Sequence, residues 1–156
     1  MTNAAYSRIV VAVDGSATAD LALGEAIRVA GSSGATVLAL FIVDSGVLLF
    51  DAGYYDVGQM EKAYVDSGNQ ALEQAAARLS AAGIAYETRL VTEPAVIGDI
   101  AASLNEAARE WQGDLLVIGT HGRRGVRRIV LGSVAEAVIR ESTMPVLLVR
   151  GKAAEK

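Results

Sequence analysis

Cysteine is absent from the 156 residues, so disulfides, thiol catalysis and thiolate metal sites are excluded. Histidine occurs once, at His121, which is too little for a dedicated transition-metal site. No apolar run approaches the about 20 residues that a membrane helix needs; Val37 to Val43 is stopped by Asp44. At the N-terminus only Arg8 precedes the apolar run Ile9 to Val13, which is too short for a signal-peptide core. Internal repeats, low-complexity linkers and composition breaks are also missing. A net charge of −4, from 14 basic and 18 acidic residues, disfavours general nucleic-acid binding. What is abundant is apolar: hydrophobic residues make up 52% and mean hydropathy is +0.34. That composition suits a sheet covered on both faces. The expectation is one domain over residues 1–156, cytoplasmic, without membrane insertion.

The periodicity alternates strands with helices. Ile9–Val13 is short, β-branched and apolar, which predicts a buried strand. Asp14-Gly15-Ser16 supplies turn and cap residues. Ala17–Ala30 follows as a helix, with Leu21, Ile27 and alanines on its packed face and Gly31-Ser32-Ser33-Gly34 closing it. Val37–Val43 is a second buried strand. Asp44–Gly58 is irregular and reads as a long loop or flap. Gln59–Ala82 is helical, with Leu72, Ala75, Ala76 and Leu79 on one face and Gly83 as its stop. Ala85–Val91 alternates as a half-exposed edge strand does. Thr92-Glu93-Pro94 opens the next helix, whose buried stripe is Ile97, Ile100, Ala101, Leu104, Ala108 and Trp111 and whose end is Gly113. Leu115–Ile118 is the fourth strand, Ser133–Glu141 the fourth helix and Val146–Val149 the fifth strand, with a frayed tail over Gly151–Lys156. Such alternation implies right-handed βαβ units and a parallel sheet.

Two loops carry the chemistry. Asp14-Gly15-Ser16 follows the first strand, and Gly119 to Ser133 follows the fourth. Ligands of open α/β sheets sit at the carboxyl ends of strands, where strand order reverses. Neighbouring first and fourth strands would bring both loops to that point. Glycines let the backbone approach an anion, and the helix opening at Gly132-Ser133 offers unpaired N–H groups and a positive dipole end. A helix terminus contributes only about 0.3–1 kcal/mol to a nearby anion, whereas micromolar binding needs about −8 kcal/mol. Loop N–H groups, the Ser133 hydroxyl and apolar contact with a base must supply the rest. The only lysines are Lys62, Lys152 and Lys156, so a Walker loop is absent. No Gly-x-Gly-x-x-Gly opens the first helix, which disfavours a dinucleotide-binding dehydrogenase.

The spacing Gly119, two residues, Gly122, nine residues, Gly132-Ser133 resembles the ATP-binding branch of the universal stress protein family. The similarity extends to Ile9-Val10-Val11-Ala12-Val13-Asp14-Gly15-Ser16, to Phe41-Ile42-Val43-Asp44 and to Met144-Pro145-Val146-Leu147-Leu148-Val149, and covers nearly the whole chain. The resemblance implies an open five-stranded parallel sheet of order 3-2-1-4-5, Rossmann-like, with helices on both faces, and a homodimer joined through the fifth strand. It places Asp14 near ribose and adenine, and Ala12, Val13 and Ile42 at the base through backbone and apolar contacts. Ile118, Gly119, His121 and Gly122 fall around ribose and phosphate. Gly132, Ser133, Val134 and Ala135 form the helix start that holds phosphates. Some relatives carry Pro where this chain has Ala12, and nothing transfers to the Asp44–Gly58 segment.

Each residue also has a plainer reading. The glycines can serve turns and packing, Asp14 can be a cap or turn residue, and His121 has no evident catalytic partner in the sequence, which favours ligand contact. Arg123, Arg124, Arg127 and Arg128 form either a solvated loop face or a positive field for triphosphate. Hydrolysis needs a group that positions water, and Gly119 to Ser133 contains no Glu, Asp or Gln. The expectation is an ATP-binding regulatory protein of the stress response, with slow or no hydrolysis, Mg²⁺ held mainly by the phosphates, and an unidentified protein partner. No catalytic residue or protein metal ligand is assigned. The alternatives are a true ATPase or nucleotidyl transferase on the same scaffold, and a structural dimer without nucleotide. The fifth strand, apolar on both faces yet at an edge, invites an isologous dimer.

Overall fold

The computed structural model describes residues 5–43, 57–93, 99–120 and 131–151. Nine elements follow one another: β1 Arg8–Ala12, α1 Ala17–Ser33, β2 Thr36–Ile42, α2 Val57–Ala81, β3 Tyr86–Val91, α3 Ile100–Glu110, β4 Leu115–Gly119, α4 Ser133–Glu141 and β5 Val146–Val149. The strands form one sheet of order β3-β2-β1-β4-β5, and every neighbouring pair is parallel. The fold expected from the sequence is therefore the fold observed.

Side-chain alternation along the strands builds two cores. Ile9, Val11, Val37, Ala39, Leu115 and Val117 face α1 and α2, together with Leu23, Ala26, Leu72 and Leu79. Val10, Leu38, Leu40, Leu116 and Ile118 face α3 and α4, together with Leu104, Ala108, Trp111 and Val138. Fully burying one such Val, Leu or Ile contributes about 1.5–3 kcal/mol, so central strands with no polar inward position are what hold both layers. Arg8 fastens the sheet's amino end. Its Nε and Nη2 donate to the Trp111 carbonyl at 2.9 and 2.7 Å, and its guanidinium lies 3.9 Å from the Trp111 ring centre. The Asp114 carboxylate accepts the Ser7 and Arg8 N–H groups at 2.8 and 3.0 Å.

Several local expectations are corrected. Helix α1 does not stop at Ala30 but runs on to Ser33, and Gly34, the last residue of the expected closing stretch, caps it in the left-handed region (φ 73°). The packed face of α1 is Ala19, Ala22, Leu23, Ala26 and Ala30, a 3.6-residue stripe that leaves Leu21 exposed at 37%. Gly113 does not terminate α3 by its own dihedral freedom. Gln112 takes the left-handed conformation (φ 62°), while a Cβ on Gly113 would lie 2.8 Å from Val10 Cγ2, so that glycine is there for space. Helix α3 starts at Ile100 behind the cap Asp99, not at Thr92-Glu93-Pro94, because the Asp99 carboxylate accepts the Ala102 N–H at 2.9 Å. Pro94 and Ile97 lie outside the described residues. Helix α2 begins at Val57, within the expected loop, of which residues 44–56 lie outside the description.

Strand β3 is an edge strand as expected, but its burial follows position along the chain rather than alternation. Tyr86, Glu87 and Thr88 are exposed, while Arg89, Leu90 and Val91 are half-buried. Helix α2 closes on the strand only towards its carboxyl end, where a Cβ on Gly68 would sit 2.6 Å from Leu90 Cδ1. At the other edge all residues of β5 are half-buried. Among the described residues, no helix is long and apolar enough to cross a membrane.

Candidate functional site

Because β1 pairs with β4 through Val11 and Val117, the chain leaving β1 at Ala12 and the chain leaving β4 at Gly119 emerge side by side. Strand β2 lies on the other side of β1 and β5 on the other side of β4. The first connection leads into α1 on one face of the sheet and α4 packs on the other face, so the carboxyl ends of β1 and β4 form the switch point at which open α/β sheets leave a ligand crevice.

The apolar floor of this crevice belongs to the α3/α4 core. Ala12, Ile42 and Leu131 are partly buried and pack against the core cluster to which the buried Ile118 and Ala135 belong. Nothing in the sequence marks Leu131 as a floor residue by its chemistry alone. Its signal was its position directly before Gly132, at the end of the glycine-spaced loop. Val13 belongs to the opposite core, and its N–H donates to the Leu40 carbonyl at 2.9 Å. Of Val13, therefore, only the carbonyl remains to face a ligand.

Asp14 shapes the first connection. Its Oδ1 accepts the Ser16 N–H at 2.8 Å, which bends the chain through Gly15 (φ 81°) into α1. Ser16 then caps α1, its Oγ accepting the Ala19 N–H at 3.1 Å. Asp14 is thus a turn residue, half-buried at the crevice edge, a position compatible with a second role towards ligand.

The second connection closes on itself. The Gly132 N–H donates to the Thr120 carbonyl at 2.8 Å, and the Thr120 N–H donates to the Val149 carbonyl at 3.0 Å. These bonds hold the start of α4 against the ends of β4 and β5. At Gly119 the space left by the missing side chain is taken by α1: a Cβ there would lie 2.5 Å from Thr18 Cγ2. His121 and Gly122 fall outside the described residues, as do Arg123, Arg124, Arg127 and Arg128.

The helix starts differ in one respect that matters for anions. Side chains of Ser16 and Asp99 cap α1 and α3. Helix α4 opens on Gly132 with no side-chain cap, and Ser133 and Val134 beside it are exposed. Among the described residues no side chain caps it, and the first N–H groups of a helix so opened can receive an outside acceptor. The acidic residue of its first turn, Glu136, pairs with Arg140 at 2.8 Å, which offsets its charge. The described residues hold no group of three His, Cys, Asp or Glu that could bind a metal ion. A separate cavity of about 100 Å³ lies on the α1/α2 side of the first connection, between Val13, Leu23, Ala75 and Arg78. Pockets for nucleotide-sized ligands run from about 300 Å³ upward, so this cavity is too small for one.

A profile of the universal stress protein family matches residues 5–150. A universal stress protein of Methanocaldococcus jannaschii is 33% identical over 147 residues, which are 93% of this chain and 82% of that protein. The crystal structure of a protein from the same family from Burkholderia pseudomallei is similar with a TM-score of 0.75 and 37% identity, covering 92% of this chain and 96% of that one. A universal stress protein crystallised in complex with cAMP is similar with a TM-score of 0.64 and 29% identity, covering 93% of this chain and 97% of that one.

Proposed function

The chain belongs to the universal stress protein family, and from that premise we propose that its carboxyl-edge crevice binds ATP and that nucleotide occupancy regulates its binding of a protein partner. The observation that carries this reading is the pairing of an uncapped helix start at Gly132 with an apolar floor of Ala12, Ile42, Ile118, Leu131 and Ala135. An adenine ring asks for the second and a phosphate chain for the first. The similarity to a family member in complex with cAMP supports the adenine moiety.

In this reading adenine lies over Ala12 and Ile42 and receives the Val13 carbonyl at its edge. Asp14 accepts from ribose. Ile118, Gly119, His121 and Gly122 line the ribose and first phosphate, and Gly132, Ser133, Val134 and Ala135 hold the outer phosphates. Mg²⁺ arrives with ATP and is held by phosphate oxygens and water, as that ion commonly is. The loop carries no carboxylate or Gln to align water, so hydrolysis is slow or absent. The protein works in the cytoplasm as a homodimer joined through β5, whose apolar residues on both faces supply the contact.

Isothermal titration of the purified protein with ATP, AMP and cAMP, together with a phosphate-release assay, tests the proposal. The expected result is ATP binding with turnover below about 1 per second, a typical lower value for enzymes. Faster steady release would make the protein an ATPase. Absence of any adenylate binding, with no nucleotide released on heating, would leave a structural dimer.

A further inference from the structure

Strand β3 ends the sheet on the side away from β5, and among the described residues no strand pairs with its outer edge. The Val37 N–H donates to the Ala85 carbonyl and the Val43 N–H to the Val91 carbonyl. Odd-numbered residues of this segment therefore turn their backbone groups towards β2. The N–H and C=O groups of Tyr86, Thr88 and Leu90 point out from the edge instead. Proline and bulges, which commonly guard such an edge, are missing: the register with β2 runs unbroken from Tyr86 to Val91. Tyr86 is 40% exposed there.

The order Tyr86-Glu87-Thr88-Arg89-Leu90 complements itself when reversed. An antiparallel pair of β3 strands with its two-fold axis at Thr88 sets Glu87 of each copy opposite Arg89 of the other. It also sets Tyr86 opposite Leu90. The backbone parity agrees, because Thr88–Thr88 and Tyr86–Leu90 fall at hydrogen-bonded positions. Glu87–Arg89 then falls at the non-hydrogen-bonded positions, where side chains come closest. Moving the axis to Glu87 or Arg89 would face like charges, so the charges select one register. Both side chains lie on the α3 side, in register with Leu38 and Leu40. Arg89 is half-buried and makes no ion pair among the described residues. Glu87 Oε2 accepts the Trp111 Nε1–H at 3.1 Å, and a carboxylate has lone pairs left for a second donor. On the opposite face α2 packs on both β3 and β2. Two copies joined at β3 would bring their α2 axes to about two strand spacings, roughly 10 Å, a distance at which helices pack.

We propose that the β3 edge is a self-association surface whose occupant is the β3 strand of a second copy, paired antiparallel across Thr88. The surface is independent of the nucleotide crevice and lies at the edge opposite β5. Dimers joined through β5 would therefore string into longer assemblies rather than close. A ladder from Tyr86 to Leu90 is small beside the roughly 800 Å² per partner of a stable complex, so pairing sets in only near about 100 µM.

Sedimentation velocity of the full chain tests this, with thermal melting as the check on folding. The wild-type average mass is expected to rise about twofold between about 5 and about 500 µM. Thr88→Pro removes an N–H that faces away from β2, a substitution an edge strand tolerates, and is expected to abolish the rise. Glu87→Arg and Arg89→Glu each set like charges opposite and are expected to abolish it as well. An equimolar mixture of these two restores opposite charges in both pairs and is expected to regain the wild-type rise. The proline and the charge set are independent, so either decides if a variant of the other does not melt cooperatively. A wild-type mass that stays constant up to about 500 µM would overturn the proposal. So would a rise that survives Thr88→Pro, or a mixture that stays as flat as its components.

Discussion

Replacing Gly119 by alanine pushes a methyl group to 2.5 Å from Thr18 Cγ2 and 3.2 Å from both Thr18 Cβ and the Thr18 carbonyl carbon. Carbon atoms rest at about 3.5–4.0 Å, so the overlap with Cγ2 is roughly 1 Å. Thr18 cannot easily yield. It is β-branched and sits in the first turn of α1, where its χ1 choices are few, and the carbonyl carbon cannot rotate away at all. Either Thr18 leaves its rotamer or α1 lifts from β4. Overpacking of this kind costs about 1–3 kcal/mol, and two close contacts with backbone or near-backbone atoms argue for about 2 kcal/mol within that range. At about 2–4 °C per kcal/mol for a chain of this size, the melting temperature should fall by about 4–8 °C. Thr18→Ser removes Cγ2 and should recover about half of the loss when combined with Gly119→Ala, a coupling of about 1 kcal/mol in a double-mutant cycle. Urea unfolding of the four proteins reads both quantities. Gly119→Ala within about 0.5 kcal/mol of wild type, the range of ordinary surface substitutions, would refute the packing argument, as would simple additivity with Thr18→Ser.

Three further outcomes follow from the same geometry. Gly132→Val keeps an ordinary backbone conformation (φ −62°), so the fold should survive while ATP affinity drops at least about tenfold, or about 1.4 kcal/mol; Gly122→Val should act alike, and unchanged affinity in both would misplace the phosphate. Gln112→Gly relieves a left-handed non-glycine residue, a conformation that costs roughly 1–2 kcal/mol, and after the added chain entropy of glycine should stabilise the protein by about 0.5 kcal/mol; a loss on urea unfolding would contradict this. Light scattering should give twice the 16.2 kDa chain mass at micromolar concentration, and a monomer there would remove the β5 dimer.

Much of the architecture was legible because its signals are local. Apolar β-branched runs at Ile9–Val13 and Val37–Val43 mark strands whose two faces are both covered, and the strand-loop-helix passage from Leu115 to Glu141 marks the crevice. The order of the strands was different in kind. Periodicity gives alternation and parallel pairing, and only the resemblance carried by Gly119, Gly122, Gly132 and Ser133 gave β3-β2-β1-β4-β5. What the sequence could not display is contact between distant positions. Gly119 reads as a phosphate-loop glycine, yet its missing side chain makes room for Thr18, about a hundred residues earlier. Gly113 reads as a helix stop, yet it clears space for Val10 while Gln112 takes the left-handed turn. Leu21 reads as a packed residue, yet the stripe that meets the sheet passes through Leu23.

Crystals grown or soaked with ATP test the central claim most directly. The account predicts adenine against Ala12 and Ile42 and a phosphate within hydrogen-bond distance of the N–H groups that open α4 after Gly132. Density for ATP elsewhere, or a crevice filled by the protein's own side chains at saturating ATP, would contradict it.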